Sequence, residues 1–283
     1  MTALEHVTRV APFGVRFYDP ATASPVVADL IVGCSSAGAG RVSAVRTPSG
    51  AYAMYGLPGL AAAEHGTGDD AFWRAPPASG TYRIQVADPG GAFLPVSFEA
   101  TLPARRLYTA ACGFAGTPSW QPVPGQAAPV IPLFSAPARP VPPGAAVARA
   151  QLTLPDGGPA SWALLQLILP DGSTALGAAD GAGRATVVFS YPEPPGLDVL
   201  PSSKLPRLSD QTWQLPIAGY FGSGSGGPVA GPEGVPDLCD LLGQRPVRLA
   251  ADHSGNPLTT VQLRYGRELV VATAARSTLL ISP

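Results

Sequence analysis

Residues 151–194 carry the plainest pattern in the chain: three apolar runs separated by Asp-Gly turns. Leu152 and Leu154 alternate with polar neighbours until Asp156-Gly157-Gly158 breaks the run, and Asp171-Gly172 and Asp180-Gly181 repeat the break. Asp-Gly favours tight turns because glycine reaches positive φ freely and the Asp carboxylate accepts from backbone just ahead of it. Val187, Phe189 and Tyr191 then place an apolar residue at every second position, the period of a strand with one buried face. The middle run, 162–169, differs. Ala163, Leu165, Leu167 and Leu169 fall on one face, Trp162, Leu164 and Ile168 on the other, and Gln166 is its only polar residue. A strand apolar on both faces predicts a sheet covered on both sides. The terminal strands, an extended arm or a neighbouring subunit are the covers in prospect.

Elsewhere the same two-residue period recurs in short pieces. Strands are predicted near 15–18, 26–32, 41–46, 52–55, 81–87 and 93–100, with Tyr82, Ile84 and Val86 facing one way and Arg83 and Gln85 the other. Between them, 61–77 reads as an irregular insertion anchored by Phe72-Trp73. Residues 104–145 are Pro-rich yet carry Phe114, Trp120, Leu133 and Phe134, more apolar surface than a flexible spacer would hold. They read as a linker or a wrapping arm. Further strands are predicted at 212–220, 246–251, 259–265, 268–273 and 277–282, with one or two helical turns at 236–243 ended by Gly243. The fold class is all-β: two β-sandwich domains, 1–103 and 146–283, joined by the Pro-rich extended arm 104–145.

Composition narrows the partners. The chain has 283 residues and a net charge of -1, so electrostatics points to neither nucleic acid nor an anionic membrane. Charged residues make up 13%, against about 25% for an ordinary soluble domain. A surface so poor in charge predicts cover by other subunits of a multi-protein assembly, self-association included. Pro (34) and Gly (33) are abundant, but a 46% hydrophobic composition with recurrent strand patterns argues for a turn-dense β protein over disorder. Cys34, Cys112 and Cys239 are odd in number, far apart and without a C-x-x-C pair, so free buried thiols are expected. The N-terminus has no basic-then-apolar signal pattern, and no run approaches the ~18 apolar residues of a membrane span. The expected location is the cytoplasm, with exit only as part of something larger.

Chemistry-bearing motifs are few. Gly222-Ser223-Gly224-Ser225-Gly226-Gly227 satisfies G-x-G-x-x-G, but Pro228 and Pro232 follow where a phosphate-binding helix should start, so a surface loop is expected. Glu64, His65, Asp69 and Asp70 share one loop without the spacing of an EF-hand or of H-E-x-x-H. Asp252-His253 lies in a turn, and no G-x-S-x-G elbow accompanies it. No catalytic, cofactor-binding or metal-binding residue is assigned, and the chain is expected not to be an enzyme. The informative side chains are Phe72, Trp73, Trp120, Phe134, Trp162 and Trp213, candidates for an interface because large aromatics dominate protein contacts. Core burial is the default for at least half of Phe72-Trp73, Trp120, Trp162 and Trp213. With a single asparagine, Asn256, and scattered Asp, they make a poor sugar site.

Two resemblances add to this. Leu154-Pro155-Asp156-Gly157-Gly158-Pro159 and Asp180-Gly181-Ala182-Gly183-Arg184-Ala185 resemble the D-x-x-G-x-P and D-x-x-G-R turns of carboxypeptidase regulatory-like (transthyretin-like) β-sandwiches. A fainter likeness runs through Asp19 to Pro25, Ser49-Gly50-Ala51-Tyr52 and Gly56-Leu57-Pro58-Gly59. This implies Ig-like, transthyretin-like sandwiches that bind or scaffold. The chain as a whole is similar to two-sandwich proteins encoded with phage-tail-like contractile injection systems of bacteria. The segments are FGVRFYDP (13–20), FWRAPP (72–77), PLFSAPARPVPPG (132–144), FSYPEP (189–194), PDLCDLL (236–242) and YGRELVV (265–271). The resemblance implies a non-enzymatic structural or adaptor component of such a particle. The alternative is a stand-alone binding module for a surface protein or glycan.

Overall fold

The computed structural model describes residues 9–36, 39–109, 112, 131–194, 207–222 and 234–282. The fold is all-β with three short α-helices and one 3-10 turn (Leu208–Asp210) among those residues, none long and apolar enough to cross a membrane. In the first half, β1 (Phe13–Val15), β2 (Phe17–Asp19), β3 (Ser24–Pro25), β4 (Ile31–Ser36), β5 (Ala39–Ser43), β6 (Val45–Arg46) and β7 (Tyr52–Met54) precede helices α1 (Ala61–Glu64) and α2 (Asp70–Arg74). Then come β8 (Gly80–Ala87) and β9 (Val96–Leu102), and a tenth strand, β10 (Ile131–Pro132), enters from the Pro-rich stretch. Strands β5-β4-β8-β9 make one antiparallel sheet, while β1-β7-β6 and β10-β2-β3 make two three-stranded ones. Phe13 meets Phe98 of β9 at 6.4 Å, and Phe17 meets Tyr52 edge-on at 5.6 Å.

Two details depart from the sequence pattern. The strand predicted over 26–32 begins only at Ile31. The Tyr52 hydroxyl explains why: it donates to Ala28 O (3.1 Å) and accepts from Leu30 N–H (3.0 Å), taking backbone groups a ladder would have used. The insertion 61–77 is not wholly irregular, since it holds α1 and α2.

Residues 131–136 of the Pro-rich stretch are built into the first half. β10 lies parallel to β2, Leu133 N–H donates to Tyr18 O (2.9 Å), and Ile131, Leu133 and Phe134 are buried. Farther on, Arg139 reaches back to Asp19 at the end of β2. Both side chains are 7% exposed. The guanidinium donates from Nη1 to Asp19 Oδ1 (2.9 Å), from Nη2 to Oδ2, and from Nη1 to Ser135 Oγ (2.8 Å), and it lies over the Phe93 ring at 4.8 Å. Asp19 also accepts from Ala21 N–H and the Thr22 hydroxyl. A buried ion pair is tolerated only when its lone pairs and protons are satisfied in this way.

The second half contains β11 (Ala145–Thr153), β12 (Leu164–Ile168), β13 (Thr174–Ala178), β14 (Arg184–Ser190), β15 (Thr212–Tyr220), helix α3 (Leu238–Leu242), β16 (Pro246–Leu249), β17 (Thr260–Arg264), β18 (Leu269–Val271) and β19 (Leu279–Ser282). Nine strands form one sheet: seven hydrogen-bond in the order β13-β12-β15-β16-β19-β11-β14, and β17 joins on β15 and β18 on β11. Its two ends approach one another at the Ala179–Ala185 bridge. β11 runs parallel to β18 and β19. The inner face collects Leu152, Leu165, Leu167, Val187, Phe189, Leu215, Leu263 and Ile281.

The doubly apolar run is covered on both sides, as its pattern predicts. Leu165 and Leu167 of β12 point into that second core. Leu164, with Ala178 and Tyr220 from the flanking strands, belongs instead to the first core, beside Leu238, Leu241 and Leu242 of α3. Gln166, the polar exception, is 2% exposed and accepts from the Tyr220 hydroxyl at 2.7 Å. The cover is therefore the first half together with α3. The outer side of the first half's sheet is met in return: Ser97 N–H donates to Pro236 O (2.9 Å), and Arg83 reaches Asp237 at 3.8 Å. Gln85, on the same face as Arg83 and paired across the ladder with Ser97, is only 8% exposed.

The expected set of three free thiols is corrected. Cys112 and Cys239, 127 positions apart, form a disulfide, and Cys34 alone is free and buried. Such a separation leaves no spacing motif to read.

Because breaking a buried pair strands a charge, Arg139→Met should destabilise the protein by about 3–5 kcal/mol, measured by urea unfolding. Adding Asp19→Leu should restore most of the loss.

Candidate interaction surface

The loop carrying Glu64, His65, Asp69 and Asp70 separates those groups. α1 buries Ala63 against the core, and Leu57 and Leu60 beside it are buried too. Glu64, 2% exposed, accepts from Arg9 Nη2 (2.8 Å) and from Gly56 N–H, so its carboxylate ties the chain together. His65 is exposed. Asp69 caps α2 by accepting from Phe72 N–H at 2.8 Å, and Asp70 pairs with Arg105. Glu64, Asp69 and Asp70 thus serve three separate contacts, and His65 joins none of them. Among the described residues no group of three His, Cys, Asp or Glu side chains is arranged to hold a metal ion.

What the loop does present is aromatic. None of the five residues of α2 is buried. Phe72 and Trp73 meet edge-on with ring centroids 4.8 Å apart, a favoured aromatic geometry. Trp73 Nε1 donates to Gly68 O (3.0 Å), and Arg74 Nε to Asp70 O (3.1 Å). Phe72 packs part of its ring on the first core. Gly66 makes that possible: a Cβ there would sit 2.3 Å from the Phe72 ring. The pair is therefore half-buried, fixed by its own loop and still open to a partner. Asp69, with Asp70 in the first turn and Ala71-Phe72-Trp73 after it, is a cap pattern from which α2 could have been found.

The remaining aromatic candidates separate. Phe134 (3% exposed) and Trp213 (5%) lie in the interior and present no ring to a partner. Trp213 Nε1 donates to Glu193 O (3.2 Å), and its ring lies 6.0 Å from Tyr191. Trp162 is half-buried against the first core, with φ of 64°, and its carbonyl accepts from Gln244 Nε2 at 2.7 Å. Trp120 and Ser223 to Gly227 lie outside the described residues. An aromatic pair not singled out by the sequence is Tyr191–Tyr265, 4.6 Å apart, with Gly266 N–H donating to the Tyr191 hydroxyl.

Asp252-His253 is turn chemistry. Asp252 accepts from Ser254 N–H (2.9 Å) and from the Asn256 side chain (2.6 Å). The Asn256 amide foremost, then backbone N–H groups and His253, hold its carboxyl below the usual range. His253 Nδ1 accepts from Arg276 Nε at 3.4 Å.

No protein-family model matches the chain, and no curated protein is significantly similar to it in sequence.

The Phe72 N–H foremost, with the Thr67 side chain, holds the Asp69 carboxyl below its ordinary value. A depressed folded-state pKa means the cap is fully in place above the unfolded value, about 3.9, and is lost as pH falls through the lower folded value. Acid titration by NMR should show the Asp69 carboxyl carbon and the Phe72 amide shifting together, with one midpoint below that of a free aspartate. Asp69→Asn should abolish the shared titration.

Proposed function

We propose that this chain is a non-enzymatic structural or adaptor subunit of a bacterial phage-tail-like contractile injection particle, assembled in the cytoplasm and docked to neighbouring subunits through α2. The observation that carries the docking is the Phe72–Trp73 pair, unburied yet held by the Asp69 cap, the Gly68 carbonyl and the Asp70–Arg105 pair. An aromatic anchor ordered before contact loses little conformational freedom on binding, which is the property of an interface hot spot. The low charge fraction, 13%, supports a surface meant to be covered. The particle itself rests on the six resembling segments. In this reading the halves are Ig-like, transthyretin-like sandwiches. The Phe13–Phe98 and Phe17–Tyr52 contacts between facing strands support that for the first half.

Sedimentation of native lysate followed by electron microscopy tests the assignment. The chain should travel with sheathed particles. Recovery only as a free monomer would sink the reading in favour of a stand-alone module for a surface protein or glycan. Phe72→Ala with Trp73→Ala should cut co-sedimentation ~10-fold or more, with circular dichroism and the urea midpoint little changed. Unfolding of the double variant would place the pair in the core instead.

A further inference from the structure

The Cys112–Cys239 bridge joins two places that local chain geometry never brings together. Their Cα atoms lie 5.0 Å apart, a separation at which a bridge forms without backbone movement. Cys112 follows a segment pinned to the first half. Tyr108 N–H donates to Gly14 O (2.7 Å), the Tyr108 ring stacks on Phe98 at 5.2 Å, and Cys112 itself packs against the first core. Cys239 stands on α3, whose Leu238, Leu241 and Leu242 enter that core and whose cap, Asp237, accepts from Cys239 N–H and faces Arg83. The two sulfurs therefore meet only when α3 is seated on β9. Cys239 is exposed and Cys112 half-buried, so exchange reagents can reach the bridge. Cys34 is 1% exposed, and burial pushes its thiol up, so it stays protonated and apart from exchange.

We propose that Cys112–Cys239 is a redox-operated staple across the joint between the halves, open in a reducing cytoplasm and closed when the protein meets oxidising surroundings. Closing forms one S–S bond. The two cysteine thiols give up two electrons and two protons to a low-molecular-weight disulfide, whose own S–S bond breaks to yield two thiols. A thiol reductant runs the same exchange backwards. α3 is seated by the side chains of Asp237, Leu238, Leu241 and Leu242 and not by the sulfurs, so the joint exists in both states and the staple sets how firmly it holds. The 127-position separation makes the effect large, because cross-linking distant points removes the most freedom from the unfolded chain. The inference is independent of any particle.

The test equilibrates the full chain in oxidised or reduced glutathione. After denaturation, one thiol should titrate in the oxidised sample and three in the reduced one. The reduced protein should melt lower by about 5–10 °C. Cys34→Ser should keep that difference. Cys112→Ser with Cys239→Ser should melt like the reduced protein whatever the buffer. Three thiols in the oxidised sample, equal melting temperatures in the two buffers, or a double variant that still responds to reductant would each overturn the proposal.

Discussion

The arrangement depends on a strand that has no side to give to water. Every residue of β12 from Leu164 to Leu167 is buried, and successive side chains enter different cores. Leaving either face exposed would return large aliphatic side chains to solvent, at a cost of roughly 1.5–3 kcal/mol each. The second half therefore cannot satisfy itself alone. It needs a surface to receive Leu164, Ala178 and Tyr220, and the first half with α3 supplies it. Gln166 fits the same constraint, because its amide oxygen meets the Tyr220 hydroxyl within that contact.

The polar contacts at the joint look secondary to this burial, but they fix its register. Ser97 receives Pro236 through two hydrogen bonds, one from its N–H and one from its hydroxyl. Asp19 and Arg139 do a related job upstream, holding the chain that leads into β11 against β2. Apolar burial tolerates sliding, whereas a two-pronged guanidinium–carboxylate pair accepts one geometry.

Short-range pattern in the sequence was a good guide wherever a contact lay close along the chain. The Asp156, Asp171 and Asp180 turns, the inward face of Val187 and Phe189, and the two-faced character of β12 were all readable from periods and turn residues. The identity of the cover was not, because Leu164 and Leu241 share a core only through folding. The same reason hid the Cys112–Cys239 pair and the parallel pairing of β11 with β19. At the candidate interaction surface, Phe72 and Trp73 were visible as residue types. Their fixed edge-on geometry rests on Gly66 and Gly68, two glycines that no period marks. Trp213 and Phe134 drew attention for the same residue-type reason, yet their neighbours buried them.

The shared core also bears on motion. Two domains joined by a polar linker ordinarily swing, because few apolar contacts resist a hinge. Here a swing would tear Leu164 and Tyr220 from the first core and unseat α3, so the polypeptide transmits a push from one half to the other with little give. A body of this kind would fix the offset between anything bound to its two halves. Partners bound at each end would be held in one mutual orientation, which raises their effective concentration toward each other without any new contact between them.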